Sequence, residues 1–182
     1  MHALELLQQR QSDARLTQPG PSSEQLSVIK HAALLAPDHG ALTPWQFILV
    51  EGEGRNRLGE LFYRSAVSSN LDERNIERAK SLALRAPLVI ICIAKHVPSN
   101  KVPRIEQVQS AGCAVFAMQQ AAFAQGLGGV WRTGHYAQCP IVKEALGLTH
   151  EDELVGFLYL GTPEIQHKKV RRLTPEQFFT EF

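Results

Sequence analysis

Residues 126 to 134 read GLGGVWRTG, three glycines within four positions, then a tryptophan, an arginine and a further glycine. Glycine lets backbone N–H groups approach a ligand that any Cβ would hold off. After it, Trp131 offers a flat ring and Arg132 a positive charge for an oxygen that becomes anionic on reduction. The stretch suits a heteroaromatic ring with its own hydrogen-bond acceptors; its plainer reading, a helix C-cap and a turn, accounts for one glycine but not three. No Lys-Ser/Thr pair follows, so it is not a triphosphate loop. Arg10, Gln11 and Ser12 set a guanidinium beside a hydroxyl, able to hold phosphate and ribose oxygens, although an arginine at a helix end also answers to the helix dipole. In APDHGALTPWQF, residues 36 to 47, Asp38 and His39 sit on a short loop between a helix and a strand, a usual place for ligand contacts. A capping turn with Trp45 in the core is the alternative there.

Other chemistries lack their residues. GEGRNR at 52 to 57 and GLGGVW at 126 to 131 both miss the third glycine of a dinucleotide fingerprint. Ser27 and Lys30 make an SxxK without its companion elements. There is no HExxH, no GxSxG and no paired-carboxylate signature, and His135 and Cys139 have no orienting partner in sequence. The three cysteines, Cys92, Cys113 and Cys139, lie far apart, which argues against a disulfide framework and a structural zinc site and fits a reducing cytoplasm. With Lys+Arg 19 against Asp+Glu 18, the net charge of +1 gives no field for nucleic acid, so a small-molecule partner is expected. No apolar run reaches the roughly 18 residues of a membrane span, and the first residues form an amphipathic helix rather than a signal core.

The elements that must position these residues follow from periodicity. Residues 44 to 50, 87 to 94 and 154 to 161 are near-continuous apolar runs bounded by Pro or Gly, expected as strands covered on both faces. Helices must supply the cover. Ser22 with Gln25 predicts a capping box, and that helix should end near Ala36, before Pro37. Further helices are expected at about 55 to 66, 72 to 84 and 106 to 125, a short one from Pro140 to Gly147, and a last one opening at Thr174 and Pro175. QSAGCAVFAMQQAAFAQ is small and apolar on most sides, the expected central buried helix. With 182 residues, 44% hydrophobic, one domain spanning 1–182 is expected; element order alone leaves α+β and α/β open.

Taken in order, ALELLQQRQS, APDHGALTPWQFILVEG, the RAP strand, AGCAVFAMQQAAFAQGLGGVWRTG and DELVGFLYLGTP resemble the FMN-dependent NAD(P)H nitroreductase family, particularly its short bacterial members, over almost the whole chain. The resemblance implies an α+β sandwich, a central, mostly antiparallel sheet flanked by helices, in an intertwined homodimer with FMN at each end of the interface. It implies that Arg10, Gln11 and Ser12 hold the phosphate and ribitol. Pro37, Asp38 and His39 would approach from the partner chain, and Trp131, Arg132, Thr133 and Gly134 would lie along the isoalloxazine. Lys169 and Arg171 match basic residues at the phosphate, and Ala121, Ala122, Phe123, Ala124, Gln125 and Gly126 fall where nicotinamide contacts are placed. The chain departs from the pattern at Gln11, in place of a second arginine, at Leu35, which has no charge, and at Ala41 and Thr43, in place of Asn and Gln.

By the same resemblance the chain is an oxidoreductase that takes hydride from NADH or NADPH on flavin N5 and passes electrons by a ping-pong route to nitroaromatic or quinone acceptors. No side chain need act as a catalytic acid or base in the first half, which fits the absence of a dyad. A non-catalytic flavin carrier and a reductive dehalogenase are the alternatives.

Overall fold

The computed structural model describes residues 2–165 and 173–182. In chain order its elements are α1 (Ala3–Gln9), β1 (Leu16–Thr17), α2 (Ser23–Ala33), β2 (Trp45–Val50), α3 (Glu53–Ser68) and α4 (Glu73–Leu82), then β3 (Leu88–Ala94), α5 (Arg104–Ala124), β4 (Gly128–Arg132), α6 (Gly134–Gln138), α7 (Pro140–Ala145) and β5 (Glu153–Pro163). Short 3-10 turns lie at His39–Ala41, Ala83–Arg85 and Pro175–Gln177.

All seven residues of β3 are buried. Successive side chains of a strand point to opposite faces, so Val89, Ile91 and Ile93 enter one apolar cluster and Leu88, Ile90, Cys92 and Ala94 enter another. The first cluster is covered by α3, α4, α6 and α7 through residues such as Phe62, Ala79, Ala137 and Val142. The second is covered by α2 and α5 through Ile29, Ala33, Ala114 and Met118. Each fully buried large aliphatic side chain stabilises by roughly 1.5–3 kcal/mol. Two helical layers around one sheet make the fold an α+β sandwich. The pairings β2–β3, β3–β5, β4–β5 and β1–β5 are all antiparallel.

The capping box forms: Gln25 N donates to Ser22 Oγ at 3.2 Å and Ser22 N to Gln25 Oε1 at 2.9 Å. The α-helix ends at Ala33, earlier than expected, because Leu34, Leu35 and Ala36 tighten to bonds three residues back on the way to Pro37. Two strands have no apolar run to announce them, β1 with two residues and β4 with two glycines in five. Pairing to β5 makes them strands. A correction concerns α5, which is not buried all round. Ala111, Ala114, Val115 and Met118 face the sheet, whereas Cys113 and Phe116 are exposed on the opposite side.

Opposite Cys92 and Ile93 the register with β5 shifts, leaving Val155 as an extra residue and Gly156 at φ 145°. Trp131 Nε1 donates to the Val155 carbonyl at 3.0 Å. A Cβ on Gly156 would lie 2.5 Å from that same nitrogen, so the bulge and the indole are matched to each other. No helix of the described residues is long and apolar enough to cross a membrane.

Asp152, 2% exposed, ties the start of β5 to the end of β3. It accepts from Lys95 Nζ at 2.5 Å, His96 N at 3.0 Å, Thr149 N at 2.8 Å and Thr149 Oγ1 at 2.9 Å. Burial alone would raise its pKa, but these donors override burial and hold it at about 2, against an ordinary 3.8. A depressed carboxylate stabilises the fold above its unfolded value, and that contribution is lost as pH falls from about 4 towards 2. Asp152→Asn is therefore expected to lower stability at neutral pH by on the order of 2 kcal/mol and to flatten the pH 4 to 2 part of the stability profile. Urea denaturation across that range measures both.

Candidate functional site

β4 delivers neighbouring residues to opposite sides of the sheet. Trp131 packs with the α2/α5 cluster, whereas Arg132 turns to the other face, its Cζ 6.0 Å from the centre of the Tyr159 ring. The glycines before them are bare for packing. A Cβ on Gly128 would meet Leu16 Cδ2 at 2.7 Å, and one on Gly129 would meet Leu160 Cδ2 at 2.8 Å. Gly126, at φ 80°, follows the end of α5. Among the cavities of the described residues, Gly134 lines one, together with Thr133.

That cavity, about 300 Å³, has an aromatic floor of Phe62, Tyr136, Phe157 and Tyr159. Phe62 stacks on Tyr136 at 4.4 Å and meets Phe157 edge-on at 5.1 Å. Arg78, Arg85 and Arg132 stand around it. A second cavity, about 560 Å³, shares Arg85 and Arg132 and extends to Ala14–Thr17 and Glu164. Among the described residues none of these three arginines lies within 4.0 Å of a carboxylate, and Arg132 Nε is buried with no hydrogen-bond partner. Burial, then the nearby Arg132 and Arg78, lowers the pKa of Arg85. Burial also pushes the Tyr159 phenol up to about 12, against the pull of Arg132 and Arg85, so it stays neutral. Aromatic rings beside guanidinium groups that have no carboxylate partner among the described residues make this cavity chemically suited to an aromatic anion. Of the three arginines around the cavity, sequence reasoning named Arg132 and not Arg78 or Arg85, which lie about fifty residues away in sequence with no motif around them.

The N-terminal stretch docks on the same strand. The Gly129 carbonyl accepts from Asp13 N at 2.9 Å and from Gln119 Nε2 at 2.9 Å, and the same amide of Gln119 reaches Ser12 Oγ at 3.3 Å. Arg10 lies over the Phe116 ring at 5.6 Å, and Gln11 beside it is half-buried. The 37–43 loop is built differently. Asp38 accepts from Leu42 N at 3.2 Å and Thr43 N at 2.7 Å, holding Gly40, Ala41 and Thr43 at φ of 76°, 52° and 49°. Positive φ at Ala41 and Thr43 is strained backbone, which persists only where its surroundings hold it. His39 Nδ1 lies 2.7 Å from Glu106 Oε2, and the Ser110 hydroxyl donates to the Pro37 carbonyl. Both contacts are to α5, across the sheet from the arginine-lined cavity, so one chain by itself does not bring Pro37, Asp38 and His39 to Arg132.

Ala121, Ala122, Phe123, Ala124, Gln125 and Gly126 form the last turn and end of α5; Ala122 is fully buried, and Gln125 Nε2 donates to Ala121 O at 2.9 Å and Gln25 O at 3.3 Å. Lys169 and Arg171 lie outside the described residues. No cluster of three metal-ligating side chains occurs among the described residues.

Comparison with known proteins supplies a context for this geometry. The model of the nitroreductase family matches residues 7–162. The chain is 46% identical over 183 residues, covering 100% of both chains, to a protein of Escherichia coli (strain K12) named "Putative NAD(P)H nitroreductase YdjA". Among solved structures it resembles a nitroreductase-like family protein from Bacillus cereus, with a TM-score of 0.86 at 24% identity over 100% of this chain and 96% of that one. It also resembles a nitroreductase with bound FMN from Bacteroides fragilis, with a TM-score of 0.75 at 20% identity over 100% of each. These last two likenesses are of fold.

Because the buried amide of Gln119 joins Ser12 to Gly129, Gln119→Leu is expected to lower stability by about 1–2 kcal/mol and to loosen the Arg10–Ser12 stretch. A urea midpoint equal to that of the wild type would show the clamp to be idle.

Proposed function

Because the chain belongs to the nitroreductase family, we propose that it binds FMN and takes hydride from NADH or NADPH, passing electrons by a ping-pong route to small nitroaromatic or quinone acceptors. The observation that carries this reading is the buried, partnerless Nε of Arg132 beside an aromatic cavity, at the strand end where Thr133 and Gly134 leave a wall without bulk. FMN, when bound, supplies a ring atom that accepts hydride and hands electrons on in pairs.

The residues present fit such a group. Arg132 offers positive charge where negative charge develops on reduction. Thr133 and Gly134 give a backbone wall to the ring, and Trp131, fastened through its indole N–H to Val155, fixes the strand that carries them. Arg10, Gln11 and Ser12, held against β4 by Gln119 and Asp13, meet a phosphate and a sugar-like chain with a guanidinium, an amide and a hydroxyl. By the family pattern Lys169 and Arg171 would supply further charge for the phosphate, and Ala121 to Gly126 would be nicotinamide contacts. Hydride transfer needs no proton from a side chain, so the chain's part is orientation, charge and exclusion of water.

Pro37, Asp38 and His39 reach the site from a second copy of the chain in this reading. The apolar side chains Leu4, Leu7, Leu34, Leu35, Ile105 and Phe116, exposed on α1, just after α2 and on α5, support a homodimer through these elements.

The test is the visible spectrum of the purified protein before and after anaerobic NADH or NADPH. Flavin bands near one per chain that bleach are expected, and Arg132→Ala should weaken FMN binding or slow the bleaching. Bands that persist with nicotinamide point to a flavin carrier, and a protein that stays colourless with added FMN overturns the assignment.

A further inference from the structure

Several cations that approach the interior are matched there: Arg104 and Lys143 pair with Glu153 at 2.9 and 3.1 Å, Lys95 pairs with Asp152 at 2.5 Å, and Arg55, which has no carboxylate, donates to the Ala86 carbonyl at 2.9 Å. Arg78, Arg85 and Arg132 converge on one cavity with no such partner among the described residues. Three like charges in a partly desolvated space repel, and a ligand anion relieves that repulsion. Arg132 belongs to the strand end that the flavin reading uses. Arg78 and Arg85 come from α4 and the turn after it, which supply none of the residues assigned to the cofactor.

We propose that Arg78 and Arg85 form a subsite for the anionic group of the electron acceptor, which makes the acceptor an aromatic acid: a nitroarene or quinone bearing a carboxylate or sulfonate. The cavity is lined by aromatic rings, and the guanidinium fork matches the two oxygens of a carboxylate. The subsite rests on the flavin reading for its place in a redox reaction, but its affinity for an anion stands by itself.

The probes are 4-nitrobenzoate and its neutral isostere 4-nitrobenzamide, titrated calorimetrically into the protein as purified, with flavin content recorded separately. The wild type is expected to bind the acid at least about tenfold more tightly than the amide, with a preference that shrinks as salt is added. Arg78→Gln/Arg85→Gln should bring the ratio to about one with flavin content unchanged. Arg78→Gln alone, at an exposed position that leaves the core untouched, should lower it partway. Equal affinities in the wild type, or a preference that survives the double substitution, overturn the proposal, as does loss of flavin in the double variant with the ratio intact. A protein that takes up no flavin even with FMN added, yet still prefers the acid, sustains the subsite and sinks the flavin reading. A flavin-loaded protein that shows no preference does the reverse.

Discussion

β3 has no face to give to water. Its seven residues, Leu88 to Ala94, are all apolar and all buried, so the strand can exist only between two layers that each bury one set of its alternating side chains. The other elements are arranged around that requirement. α2 and α5 close one face, and α3, α4, α6 and α7 close the other. β5 pairs along β3 and also carries β4 and β1, which brings a sequence with two glycines and little strand propensity into the sheet.

Placing β4 in the sheet decides what its residues can do. Alternation sends Trp131 into the α2/α5 layer and Arg132 to the opposite layer, so one residue anchors and the next remains available. The extra residue in β5 makes this possible, since a regular strand would present no carbonyl at Val155 for the indole and no space at Gly156 beside it. Gln119 and Asp13 then fasten the N-terminal stretch to the carbonyl of Gly129. Arg78, Arg85 and Arg132 are left around the cavity on the α3/α4/α6 side with no carboxylate partner among the described residues, which costs the isolated chain charge repulsion.

Much of the architecture was legible. The apolar runs at 44 to 50, 87 to 94 and 154 to 161 are β2, β3 and β5; β3 and most of β5 are covered on both faces as expected, whereas β2, at the sheet edge, exposes Gln46 and Leu49. The Ser22–Gln25 box and the Pro140 start stand as read. β4 was not legible, since its strand character comes from β5 and not from its own residues, and the glycines suggested a ligand where they accommodate Leu16 and Leu160. α5 looked buried because its exposed face is also small and apolar, which periodicity cannot tell from a core face.

By itself the sequence determined the family, the apolar strands and the presence of an arginine after a tryptophan beside a small-residue turn. These are local or additive properties, carried by residue type and spacing along the chain. Only the tertiary structure decided that Arg78 and Arg85 join Arg132, that Gln119 holds Ser12 to Gly129, and that the 37–43 loop lies across the sheet from the cavity. Each of these depends on which elements pack together and in what register, and a one-residue change of register moves a side chain to the other face of the sheet.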